Sequence, residues 1–388
     1  MTDDAPNPAL LPAGLMDLLP PEAEREADLV EALMAAFAGH GYERVKPPLL
    51  EFEDSLLAGS GGAVAEQTFR LMDPVSQRMM GLRADTTPQV ARIAATRLGQ
   101  QARPLRLCYA GQVLRVRGTQ LAPERQLPQT GIELIGSDAA EADAEVALVA
   151  AEALARAGVP SVSLDITLPT MAPTLLEAAG VPPALRQRLA RALDRKDSAA
   201  ATELAEQAGP LAAALPVLLA AAGPADGALA ALSAADLPPA ARAIADNAAA
   251  VIAAIRAREP GLRITLDPVE FRGFRYHVGV AFTLYGPGAT GELARGGRYV
   301  SANDEPATGM SLYPDAVLRA ARPAAPRPRV FLPLGTPPAD ASALRAQGYA
   351  TVAALAPGDS PAALRCTHVL RDGAAQALSA TPFSKDDV

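Results

Sequence analysis

Cysteine is scarce in this chain: only Cys108 and Cys366 occur, far apart, and no histidine cluster stands at metal-ligand spacing beside either. That excludes a disulfide framework and a thiolate metal site, fits a reduced, cytoplasmic compartment, and leaves no cofactor or metal to be expected. Positive charge is also in deficit. Lys and Arg total 35 against 43 Asp and Glu, a net charge of -8, so long-range attraction to a polyanion is not built into the molecule. Lysine occurs only at Lys46, Lys196 and Lys385, and the excess of arginine and alanine is most simply a compositional habit. Missing too are long apolar runs. No stretch of about 20 apolar residues free of charge and proline is present, so no membrane span is expected. The first apolar stretch, Pro8 to Leu19, follows Asp3 and Asp4 and is broken by Pro12 and Gly14, unlike a signal peptide.

What is present is enough to fold. With 388 residues, 49% hydrophobic and 20% charged, the chain can bury one large core and carry a smaller appended unit. Pro20-Pro21 opens a helix with Ala27, Val30, Leu33, Met34 and Phe37 at helical spacing, closed by Gly39 and Gly41. YERVKPPLLE (Tyr42 to Glu51) reads as a strand ending at a rigid double proline. Short strands then follow in TFRLMD, RMMGLRAD, LRLCYAGQVLRV and TGIELIG, with a helix at Pro88 to Leu98. More come in RITLDPVEF, YHVGVAFTLYG and ELARGGRY. Little room is left for crossover helices, which predicts an α+β fold built on an antiparallel sheet.

Between the two sets of strands, about Met171 to Ala257, lie periodic Ala- and Leu-rich helices: an inserted subdomain, or simply cover for one sheet face. We therefore expect a main domain over 1–320, a proline-rich linker over 321–329 and a small α/β unit over 330–388 beginning as β-α-β.

Three segments carry candidate chemistry. In LRADTTPQ a strand would put Asp85 and Thr87 on one face, where they could hold an ammonium group or merely form a turn. In CYAGQVLRVRGTQLAPERQLPQTGIELIG, Arg115, Arg117 and Arg125 belong to a loop, and the return strand presents Gln129 and Glu133 on one face. A carboxylate facing a core must be neutralised, by a bound cation or by an arginine. In EFRGFRYHVGVAF, Arg272 could hold a carboxylate, with Tyr276 and His277 lining a small pocket. The RGGRY glycines suggest a close turn but no phosphate loop, and GSGG (Gly59 to Gly62) suggests a mobile loop. His40 and His368 stand in unremarkable contexts.

In this order the segments resemble the catalytic core of histidyl-tRNA synthetase, a class II synthetase, over most of Leu11 to Leu318. YERVKPPLLE resembles the first class II motif, with Pro48 at its proline, and LRADTT resembles the family's LRPEGT. Cys108 to Gly136 resembles the second motif, its arginine at Arg115. RGFRYH resembles RGLDYY, and ARGGRY resembles AGGRYD. The resemblance implies a class II sheet flanked by helices, and a homodimer.

Departures from the family lie where ATP would be held. Arg117 stands for a Glu, Pro123 for a phosphate-binding Arg, and Ala316 for the third-motif Arg. The stretch from Val300 to Thr308 is shortened, Arg275 replaces an Asp and His277 a Tyr. By contrast Asp85, Thr87, Gln129, Glu133, Arg272 and Tyr276 keep the amino-acid side. The unit after Arg329 is short, near neutral and without aromatics among basic residues, so it looks vestigial and no tRNA partner is expected.

A core with these losses resembles the regulatory subunit of ATP phosphoribosyltransferase. That implies a non-catalytic partner for a short-form catalytic subunit within a larger hetero-oligomer, with L-histidine as feedback effector. The implied histidine site comprises Asp85, Thr87 and Gln129 for the ammonium, Glu133 for the imidazole and Arg272 for the carboxylate, with Arg115, Tyr276 and His277 nearby. The alternatives are an active histidyl-tRNA synthetase and a synthetase-like scaffold that binds no histidine.

Overall fold

The computed structural model describes residues 9–118, 123–270, 276–289, 291–322 and 325–378. Helix α1 (Glu22–Gly39) begins behind Pro21, with Glu22 and Glu24 favourably placed in its first turn. It stops at His40 and Gly41, where a φ of +79° suits glycine. β1 (Glu43–Arg44) is only two residues long, because the prolines at 47 and 48 end it. Next come β2 (Leu50–Phe52), α2 (Glu53–Leu56), β3 (Phe69–Met72) and β4 (Met79–Leu82), and the three strands form a small antiparallel sheet in the order β2-β4-β3. GSGG (Gly59 to Gly62), expected as a mobile loop, opens a 3-10 helix, Gly59–Gln67. Its Gly61 lies so close to the Leu56 carbonyl that a Cβ would sit 2.1 Å from that oxygen.

The main sheet gathers the long strands. After α3 (Thr87–Thr96) come β5 (Leu105–Leu114), β6 (Gln126–Ile135), α4 (Ala140–Arg156) and β7 (Ser163–Thr167). Helices α5 (Met171–Ala178), α6 (Pro183–Asp194), α7 (Ser198–Ala208) and α8 (Ala214–Ala220) follow, then the short β8 (Gly223–Pro224), α9 (Ala225–Ala234) and α10 (Pro239–Arg258). The chain returns through β9 (Arg263–Asp267), β10 (His277–Tyr285), β11 (Ala294–Val300), β12 (Pro306–Leu312) and α11 (Pro314–Ala320).

Nine strands order as β1-β5-β6-β12-β11-β10-β7-β9-β8. The expected antiparallel sheet is in fact mixed: β1 runs parallel to β5, and β7 parallel to β9. Each parallel pair needs a long connection, which α2 and α3 help to supply between β1 and β5, and α5 to α10 between β7 and β9.

Alternation along the strands divides the core. Cys108, Ile132 and Leu134 join α1, α4 and the helices of residues 171–258 in one large apolar cluster. Leu107, Tyr109, Ile135 and Tyr299 point the other way, against Val90 and Ala94 of α3. The inserted helices thus share the sheet's own core; they cover one face of it. Alanines of α4 (Ala144, Ala147, Ala150) are fully buried, which lets the helix lie close to its neighbours.

A second compact unit follows the first, described over residues 325–378. Its strands β13 (Arg329–Leu332), β14 (Ala350–Ala353), β15 (His368–Arg371) and β16 (Ala374–Ala377) order as β14-β13-β15-β16, with α12 (Pro338–Ala346) linking β13 to β14. The β-α-β start is joined by β15 and β16, two strands of four residues each, too short to read from the sequence.

Candidate functional site

The cross-strand register aligns one face of the main sheet into rows: Tyr109, Gly131, Ser311 and Arg295 in one, Leu107, Glu133, Gly309 and Gly297 in the next. Glycine at two of these positions, Gly131 and Gly309, makes a hollow that the Tyr109 and Glu133 side chains enter, and at Gly297 the backbone of β10 closes in. A Cβ on Gly131 would lie 2.4 Å from the Tyr109 ring end, and one on Gly309 would lie 1.8 Å from Glu133 Oε2. ELARGGRY, read as a strand, is one: its glycines, for which a turn was also considered, lie inside β11, where the backbone of β12 beside Gly296 and of β10 beside Gly297 comes too close for side chains.

Into this hollow comes the segment after β4. Asp85 and Thr87 were expected on one strand, but β4 ends at Leu82 and Thr87 already begins α3. Buried Arg83 holds the bend: it donates to the carbonyls of Gln112 (2.8 Å) and Pro47 (3.2 Å) and to Gln89 Oε1 (3.3 Å). Gly111 gives it room, for a Cβ there would meet Arg83 Nη2 at 2.3 Å. The double proline thus contributes carbonyl acceptors where no N–H could serve.

The polar groups interlock. Gln129 Nε2 donates to Asp85 Oδ1 and to Ser311 Oγ, each at 2.9 Å, while Gln129 Oε1 accepts the Thr86 N–H at 3.0 Å. Asp85 Oδ1 also accepts the Thr87 N–H. Thr87 Oγ1 donates to Glu133 Oε1 at 2.9 Å, and Tyr299 OH donates to Glu133 Oε2 at 2.9 Å. Tyr109 OH lies 2.9 Å from Ser311 Oγ and 3.3 Å from Thr87 Oγ1. So Asp85, Thr87, Gln129 and Glu133 are brought into one buried network.

Glu133 is met differently from the sequence expectation. Among the described residues its hydrogen-bond partners are two hydroxyls, with no arginine or other cation. Burial pushes its carboxyl up to about 8, against the opposing pull of the Tyr299 and Thr87 hydrogen bonds, and Asp85 adds to the rise.

At the edge of the hollow, the Tyr276 ring stands edge-on to Tyr299 with centroids 6.0 Å apart. His277 lies beside Tyr276 (4.6 Å) and is buried; desolvation, with Arg295 adding, pushes it down to about 3, so it is neutral at physiological pH. Arg115 is not hydrogen-bonded into the network. Its backbone closes the β5–β6 hairpin by accepting Arg125 Nε and donating its N–H to the Arg125 carbonyl, and its charge acts on Glu292 and Tyr313. Burial raises Glu292, and Arg295, 3.4 Å away, and Arg115 pull it back. Arg272 and Arg275 lie outside the described residues.

Arg117 is exposed, and at the start of α11 Ala316 packs on the apolar core beside Asp315, which pairs with Arg319 at 3.1 Å. Sequence reading missed Tyr109, Tyr299 and Ser311. The first two stand inside motifs already quoted, and their rarity was the available signal: four of the seven tyrosines, with Tyr276 and Tyr313, gather here. Ser311 had none, since its role depends on β12 pairing with β6.

Comparison with known proteins agrees with this architecture. The histidyl-tRNA synthetase family model matches residues 14–317. A crystal structure of an ATP phosphoribosyltransferase regulatory subunit/histidyl-tRNA synthetase from Bacillus halodurans superimposes with a TM-score of 0.77 at 24% identity, over 92% of this chain and 95% of that one. A chain of the ATP phosphoribosyl transferase (HisG:HisZ) complex from Thermotoga maritima gives 0.58 at 17% identity, over 74% and 97%. The fold is that of the histidyl-tRNA synthetase class. In sequence, the ATP phosphoribosyltransferase regulatory subunit of Paramagnetospirillum magneticum is 59% identical over 93% of this chain and 94% of its own length. The chain belongs to the family of ATP phosphoribosyltransferase regulatory subunits, as a subunit that is not itself catalytic.

Proposed function

We propose that this chain confers histidine feedback on a short-form ATP phosphoribosyltransferase, which needs it for activity, and that it does so by binding L-histidine in the buried network of the main sheet. The observation that carries the reading is the juxtaposition of Asp85, Gln129, Thr87 and Glu133 in one glycine-floored hollow, with no charge-neutralising partner for Glu133 among the described residues. In this reading Asp85, Thr87 and Gln129 take the ammonium, Glu133 the imidazole and Arg272 the carboxylate.

Histidine would then act by binding two states of a cytoplasmic hetero-oligomer with different affinity, and the factor between those affinities sets the inhibition. A homodimer of this chain inside that assembly is part of the same proposal. The Thermotoga maritima neighbour, a chain of a HisG:HisZ complex, bears on the hetero-oligomer and not on the homodimer.

Mixing the chain with a short-form catalytic subunit tests it. Activity should rise on mixing and fall on adding L-histidine, and Asp85→Ala should abolish the inhibition while leaving activation in place. A complex that is active and indifferent to histidine would sink the effector assignment.

A further inference from the structure

We propose that Glu133 and the imidazole of the bound effector share a single proton, so that histidine binds tightest in a window around neutral pH and is released on either side of it. This rests on the reading of the hollow as a histidine site and adds its regulation.

Glu133 is 1% exposed on β6. Facing it are Thr87 from the start of α3, Tyr109 from β5, Tyr299 from β11 and the second carboxyl, Asp85, and its Oε2 occupies the place that a side chain at Gly309 of β12 would take. Tyr276, before β10, lies against Tyr299. A bare carboxylate so placed is costly, and the groups around it offer hydroxyls and a like charge. A proton is the neutralising partner the site can accept. Thr87 Oγ1 is 3.3 Å from Tyr109 OH and can turn its own proton there while accepting one from Glu133. The carboxyl's rise to about 8 is in keeping with this.

Before the effector arrives, the hollow then holds one proton at pH 7, on Glu133. A free imidazole, with an ordinary pKa of about 6.5, arrives mostly neutral. When a ring nitrogen meets the Glu133 O–H, that bond can break and a ring N–H form, leaving an imidazolium beside a carboxylate. No proton enters from or leaves to solvent, and total charge is unchanged. Above pH about 8 Glu133 has already lost its proton and binding must take one up. Below pH about 6 the free imidazole brings its own and binding must expel one. By linkage the affinity falls about tenfold per pH unit on each limb. Neighbouring groups stay out of the window: burial holds Tyr109, Tyr276 and Tyr299 well above it and His277 near 3.

Calorimetry of L-histidine binding to the full chain from about pH 5.5 to 8.5, in buffers of different ionisation enthalpy, reads both affinity and proton count. The expected result is a Kd minimum between about pH 6.5 and 8, near-zero proton exchange at about pH 7, net release at about 5.5 and net uptake at about 8.5. Glu133→Gln should lose the alkaline limb up to the pH where the effector's own ammonium titrates. A flat wild-type profile, or an unchanged alkaline limb in Glu133→Gln, overturns the shared proton while leaving the histidine site standing. No heat of binding at any pH overturns the site itself.

Discussion

At the scale of single residues, the hollow is made as much by what is missing as by what is present. Gly309 has Glu133 Oε2 where its side chain would be, so Gly309→Ala should force the carboxyl out of its bonds to Thr87 and Tyr299. Overpacking of this kind costs about 1–3 kcal/mol, which denaturant unfolding would show, and histidine binding should be lost with it.

Glu133 also makes stability depend on pH. Its folded pKa, about 8, lies above the ordinary carboxyl value, so the folded state binds the proton more tightly than the unfolded one. The contribution is fully present below the unfolded pKa of about 4.3 and is lost as pH rises through the folded value, at roughly 1.4 kcal/mol for each pH unit between the two. Glu133→Gln should therefore gain stability relative to wild type between about pH 5 and 8, as read from Tm against pH in the absence of histidine.

At the scale of elements, one buried ion pair ties α4 to the strand that floors the site. Arg298 on β11 reaches Asp143 Oδ2 at 2.8 Å, and also donates to the carbonyls of Ser137 and Ala139 ahead of α4. Gly279 on β10 gives the arginine its path, since a Cβ there would meet Arg298 Cγ at 2.8 Å. Removing one partner leaves a buried charge, so Asp143→Ala should destabilise by about 3–5 kcal/mol in chemical denaturation. Pairing it with Arg298→Met should recover part of that loss, because the uncompensated charge is gone.

At the scale of the whole molecule, the chain divides into a large unit ending at Arg322 and a small one beginning at Pro323, each with its own apolar cluster. A chain ending at Arg322 should keep a cooperative unfolding transition and, in our reading, histidine binding by calorimetry. If it unfolds without a transition, the large core depends on the small unit. No helix among the described residues is long and apolar enough to cross a membrane. The net charge of -8 makes association with a catalytic partner a matter of local surfaces rather than long-range attraction.

The sequence by itself determined the class of fold, the positions of α1, α3, β5, β6, β9 and β10, and the set of polar residues worth attention, but left α4, β7 and β12 unread. It could do so because burial imposes a period on apolar residues, and because unusual polar residues inside apolar strands are costly enough to stand out. Asp85, Thr87, Gln129 and Glu133 were all legible in this way. Only the tertiary structure decided how they meet. The parallel pairings of β1 and β9, the release of Asp85 from β4 and the roles of Tyr109, Tyr299 and Ser311 all depend on which strand lies beside which. Cross-strand register joins residues far apart in the chain, such as Tyr109 and Ser311, and no local period carries that information.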